Sequence, residues 1–62
     1  MTAAPGRFAS IVEDLRRNAR RMRQQAVIMR RHPKSYTEDD AHFEEQAADT
    51  ADRAAAVLEA AP

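Results

Sequence analysis

The chain has 62 residues, with ten Lys/Arg against ten Asp/Glu for a formal net charge of zero, and no cysteine. So short a chain forms one domain at most, and the missing cysteines exclude disulfides, thiolate metal sites and cysteine nucleophiles together. Zero net charge argues against a general nucleic-acid coat, whose affinity comes from uncompensated positive charge, and no apolar run approaches the roughly 20 residues that span a bilayer.

The zero conceals two poles. Residues 7–34 carry nine bases and two acids, a balance of +7, while residues 35–62 carry eight acids and one base, a balance of −7. A chain of this size buries a modest share of its surface, and much of its hydrophobic content is alanine, so self-association is the expected route to stability. Met1 to Gly6 contains no hydrophobic signal segment, and a cytoplasmic protein is expected.

In chain order, an N-terminal arm is expected over residues 1–9, with a single helical-hairpin domain over 10–62. Ser10-Ile11-Val12-Glu13 has the form of a capping box, and the helix can also begin a turn earlier, after Pro5-Gly6. The first helix is predicted over about 8–32, with acids in its first turn and Arg30-Arg31 in its last to suit the helix dipole. Pro33 ends it, because the residue before a proline is pushed out of helical geometry. After a turn at 32–37, Thr37 is the expected N-cap of a second helix over about 38–60, with Glu38, Asp39 and Asp40 in its first turn.

Apolar residues recur at alternating spacings of three and four, the pattern of a coiled-coil seam. In the first helix they are Phe8, Val12, Leu15, Ala19, Met22, Ala26 and Met29. In the second they are Phe43, Ala47, Thr50, Ala54, Val57 and Ala61. A tight turn makes the helices antiparallel, and facing residues then have a constant index sum of 69, pairing Val12 with Val57 and Ala26 with Phe43. Most layers set a large side chain against a small one. The expected fold is therefore all-α: an antiparallel two-helix hairpin, coiled-coil-like, assembling into a homo-oligomeric helical bundle.

This register sets Arg30 near Glu44 and His32 near Asp39, while Arg23 faces the neighbourhood of Ala51 and Arg16 that of Leu58. Most arginines are thus expected to lack a carboxylate within their own hairpin. The second helix carries another apolar stripe, Ala41, Ala48, Ala51, Ala55 and Leu58, beside the first. The first helix has an uncharged edge of Ile11, Asn18, Gln25 and His32. So wide an apolar sector calls for a further partner, the simplest being another copy.

The candidate ligand-binding residues are Arg16, Arg17, Arg20, Arg21, Arg23, Arg30, Arg31, His32 and Tyr36. Guanidinium forks suit phosphate and carboxylate, and the basic group around the turn, with Lys34 and the Tyr36 ring, could hold an anionic nucleotide. The plainer alternatives are a solvated face with inter-subunit ion pairs, and cations on the last helix carbonyls with Tyr36 covering the core. On the second helix Glu38, His42, Glu45, Asp49 and Asp52 form an outward ridge whose spacing suits a divalent metal or mimicry of a nucleic-acid backbone, a solvated acidic face being the simpler account. No metal or cofactor is expected. With no glycine-rich loop, nucleophile motif or deep pocket, no catalytic residue is assigned and the chain is expected not to be an enzyme.

Tyr36-Thr37-Glu38-Asp39-Asp40-Ala41-His42-Phe43, followed by Ala47-Ala48 and Ala56-Val57-Leu58-Glu59-Ala60, resembles the second half of many small hairpin proteins encoded by bacteriophages. Many of those are accessory factors that neutralise host systems, and one group, the helical-hairpin sponges, sequesters cyclic-nucleotide or ADP-ribose-type immune signals between subunits. The resemblance implies a non-enzymatic protein acting in the host cytoplasm by binding, with an anionic nucleotide signal held between subunits. A host enzyme or regulator as target, or pure self-assembly, are its alternatives. The ligand residues of the sponges have no aligned counterparts in this chain.

Overall fold

The computed structural model describes residues 6–62; residues 1–5 of the expected arm lie outside the described residues. Two α-helices, α1 (Ala9–Arg31) and α2 (Glu38–Ala60), pack against each other as an antiparallel hairpin, with no strand among the described residues. The Cα trace measures 54 × 18 × 10 Å, a plank two helices wide and one helix thick. Its two broad faces both meet solvent.

The termini follow local chemistry. α1 begins at Ala9 with Phe8 in the cap position and no side-chain cap bond, so the box expected at Ser10 does not form. Its first turn holds no acid, because Glu13 and Asp14 fall a turn further in. The Arg7 guanidinium instead lies over the Phe8 ring, 5.2 Å from its centroid. Arg30 and Arg31 occupy the last turn. The chain reverses by hydrogen bonds from Ser35 N and Tyr36 N to His32 O, at 3.0 and 3.1 Å. Thr37 then caps α2 reciprocally: Asp40 N donates to Thr37 Oγ1 at 3.2 Å and Thr37 N donates to Asp40 Oδ2 at 2.8 Å. Three acids in that first turn face the positive end of the helix dipole.

The seam is where structure and expectation part. From α1 the buried residues are Val12, Ala19 and Ala26, flanked by the half-buried Leu15, Met22 and Met29. From α2 they are Ala41, Ala48, Ala51 and Ala55, with Leu58 half-buried. Ala19, Ala48 and Ala51 form the core centre, with Leu15 and Met22 packed on it. Phe43 and Val57, expected in the seam, are 69% and 70% exposed.

The physical difference is small in index and large in angle. The seam stripe of α2 is offset by one residue from the expected one, bringing Ala48, Ala51 and Ala55 to α1 in place of Ala47, Thr50 and Ala54, with Leu15 and Met22 packed on the centre. One residue is about 100° of helix rotation. α2 therefore turns its alanine stripe to α1 and swings its bulkier stripe onto a broad face. Alanine at positions 41, 48, 51 and 55 lets the backbones come close, with Leu15 and Met22 filling the space between.

Candidate functional site

The rotation of α2 organises the charges. Arg16, Arg23 and Arg30 stand seven residues apart on one side of the α1 seam, and Glu38, Glu45, Asp52 and Glu59 stand seven apart on the matching side of α2. Antiparallel packing interleaves the two rows, so that each arginine lies between carboxylates. Arg30 donates from Nε and Nη2 to Glu38 Oε1 at 3.0 and 2.7 Å, and from Nη1 and Nη2 to Glu45 at 2.9 and 2.8 Å. Arg23 reaches Asp52 at 2.8 Å and Asp49 at 2.9 Å. Arg16 binds Glu59, with Asp52 at 3.7 Å.

These contacts correct the expected pairings. Arg16 and Arg23 do not lack carboxylates; both are paired within the hairpin. The ridge of Glu38, Glu45, Asp49 and Asp52 is turned onto arginines, and no group of three or more His, Asp or Glu with metal-holding geometry occurs among the described residues. Arg30 pairs with Glu38 and Glu45, not Glu44, and His32 forms no ion pair with Asp39. Hydrogen bonds from Arg30 hold the Glu45 and Glu38 carboxyls below their ordinary range, and the same bonds raise the already high pKa of Arg30. Carboxylate hydrogen bonds raise Arg16 and Arg23 as well. All of these side chains remain partly open to solvent, so the row orients the helices more than it stabilises them.

The other candidate residues are scattered. Arg17 bridges to Asp14 at 3.4 Å and Arg21 donates to Asn18 at 2.9 Å, both within α1. Arg20 and Arg31 make no side-chain hydrogen bond or ion pair among the described residues, and they lie on the outer side of α1. At the turn an open cavity of about 250 Å³ is lined by Met29, Arg30, Pro33, Tyr36, Thr37 and Glu38. It joins the Tyr36 ring to Arg30, but Glu38 shares the wall and neutralises that cation; Arg31 and His32 lie outside the lining. A second cavity, of about 390 Å³, opens at the other end between Phe8, Val12 and Leu58.

Comparison with protein-family models, with curated proteins and with solved structures finds no match to this chain. The features that bear on its action are therefore those of its own two faces.

The face opposite the arginine row went unnoticed as a unit in the sequence. There the uncharged edge of α1, Ile11, Asn18 and Gln25, meets Ala47, Ala54 and Ala61 of α2. Outboard of them lie Asp14, Arg21 and Ile28 on α1, and Phe43, Thr50 and Val57 on α2. Ile11 is 51% exposed and Ile28 44%. Among the described residues the large exposed hydrophobics are Ile11, Val27, Ile28, Tyr36, Phe43 and Val57, and four of them share this one face. The signal was present: the expected seam of α2 is this stripe, assigned to the wrong neighbour. No helix of the described residues is long and apolar enough to cross a membrane, so the stripe is not part of a span.

Proposed function

We propose that this chain is a non-enzymatic, phage-type accessory protein that acts by helix–helix docking through its uncharged face. The observation that carries this is the exposure of Phe43 and Val57, 69% and 70%, on an uncharged α2 stripe beside a charge row already satisfied within the chain. Contiguous apolar surface of this kind serves interaction with another polypeptide. In the setting that the resemblance to phage hairpins implies, the action is neutralisation of a host system by occupancy. The test compares immobilised full chain with its Phe43→Glu/Val57→Glu variant. Wild type is expected to retain a polypeptide partner, itself or another, at stoichiometric level, and the variant to lose it. A wild-type chain that neither self-associates nor retains a partner would overturn the proposal.

A second function is favoured by a separate observation: Arg20, in the middle of α1, and Arg31, at its end, carry no carboxylate partner among the described residues, and Lys34 follows Arg31 in the turn. These cations are available to an anionic nucleotide held between subunits, with His32 and Tyr36 at the Arg31 end. Arg16, Arg23 and Arg30 are poor candidates for that task because their forks are already engaged. A thermal shift with a nucleotide signal, lost in Arg20→Glu or Arg31→Glu, would support it; no shift across a broad nucleotide panel would remove it.

A further inference from the structure

We propose that the uncharged face is covered by a second copy of this chain, related by a two-fold axis perpendicular to the helices, so that α2 packs antiparallel on α2 and α1 on α1. This rests on the docking function above and names its partner. The first support is register. Centred between Thr50 and Ala54, the α2 stripe reads alike in both directions: Phe43 falls opposite Ala61 of the partner subunit, Ala47 opposite Val57 of the partner subunit, and Thr50 opposite Ala54 of the partner subunit. The two bulky side chains of the stripe each meet an alanine, the condition for filling a helix interface without voids.

The second support comes independently from α1. The charge row fixes which part of α1 lies beside the centre of the α2 stripe: Asp52 bonds both Arg16 and Arg23, which sets that centre near residues 19 and 20. The same axis then sets Ile11 opposite Ile28 of the partner subunit and Asn18 opposite Arg21 of the partner subunit, with Asp14 opposite Gln25 of the partner subunit. The only two exposed large hydrophobics on that side of α1 thus meet each other. Arg21, which here donates to its own Asn18 at 2.9 Å, comes within reach of Asn18 of the partner subunit and Asp14 of the partner subunit. One axis satisfies both helices, as an isologous interface requires.

Burial strands no polar group in the α2 stripe. Its one hydroxyl, on Thr50, already donates to Gln46 O at 3.0 Å within α2. The stripe lies about 100° around α2 from the seam, close to the right angle at which a helix of a four-helix bundle addresses its two neighbours. The area suffices as well: helices of 23 residues, about 34 Å long at about 1.5 Å per residue, across an 18 Å width offer on the order of 600 Å² per copy. Both copies together reach about 1,200 Å², the lower bound of stable specific interfaces. The hairpin also needs the partner, since no large side chain is fully buried among the described residues and the chain has no cysteine to form a disulfide.

Sedimentation velocity of the full chain should give a particle of about 14 kDa from chains of 7.0 kDa. Phe43→Glu/Val57→Glu should weaken self-association by about 100-fold or more, while Val27→Glu, on the other side of α1, leaves the dimer intact. Because the double variant could unfold, a second measurement reads the register directly. An equimolar mixture of Thr50→Cys and Ala54→Cys chains should oxidise to a mixed disulfide dimer, a clean readout in a chain without other cysteines. A monomer at about 100 μM, a dimer indifferent to the Phe43/Val57 pair, or no mixed disulfide would overturn the inference. A monomer that still holds a different protein in a Phe43-dependent way would overturn the second copy as occupant and leave the docking function standing. Loss of both would remove the two together.

Discussion

The two broad faces of this hairpin are made by the same two helices at the same seven-residue spacing, and they end in opposite states. On one, Arg16, Arg23 and Arg30 interleave with Glu38, Glu45, Asp52 and Glu59, and complementary rows close within the chain. On the other, Ile11, Ile28, Phe43 and Val57 are exposed, with nothing among the described residues covering them. Charge pairs tolerate solvent and give helix orientation at little net stability. Apolar side chains left in water are a standing cost of roughly 25 cal/mol per Å². The first face therefore selects how the hairpin closes, and the second holds its unspent association energy.

The largest effect should come from the seam both faces share. Ala48→Leu or Ala19→Leu inserts three heavy atoms between closely approaching helices and should destabilise by about 1–3 kcal/mol, read by thermal or denaturant unfolding. Leucine at the exposed Ala56 should cost under about 0.5 kcal/mol. Equal effects at both sites would mean that the alanine stripe is not the seam. Next comes the turn that sets the register: Thr37→Ala removes the hydroxyl that accepts from Asp40 N and should cost about 1 kcal/mol.

The charged face should respond to pH and salt. Arg30 lowers the Glu38 and Glu45 pKa values in the folded state, so their stabilising contribution is present above the ordinary carboxylate range and is lost as pH falls through the lowered values. The melting temperature should decline from about pH 5 to pH 3, and Arg30→Gln should flatten that decline. Added salt should weaken this face's contribution and leave the association of the apolar face intact or strengthened, sulfate most of all. The smallest change is Arg16→Gln, which removes one end of the row and should shift the midpoint less than Arg30→Gln, because Arg30 alone makes two forked contacts. A larger loss at Arg16 would show that the open end of the hairpin, not the turn end, governs register.

Much of this was legible before any coordinates. Thr37 and its three following acids mark the start of α2, and Pro33 marks the end of α1, because capping and proline sterics are local. The α1 seam was legible too, since only one stripe of α1 combines Val12, Leu15 and Met22 at coiled-coil spacing. α2 offered two stripes a third of a turn apart, and bulk favoured the wrong one. The arginines and acids at sevenfold spacing would have chosen correctly, had they been weighed with the apolar residues, because only the alanine stripe brings Glu45 to Arg30 and Asp52 to Arg23.

By itself the sequence determined two helices, their ends and their antiparallel order, since those depend on neighbours within a few residues and on the shortness of the turn. Which side of α2 faces α1 was decided only in three dimensions. There close approach of the alanine backbones and the interleaved charge row act on the whole helix at once, and a rotation of one residue exchanges a buried stripe for an exposed one.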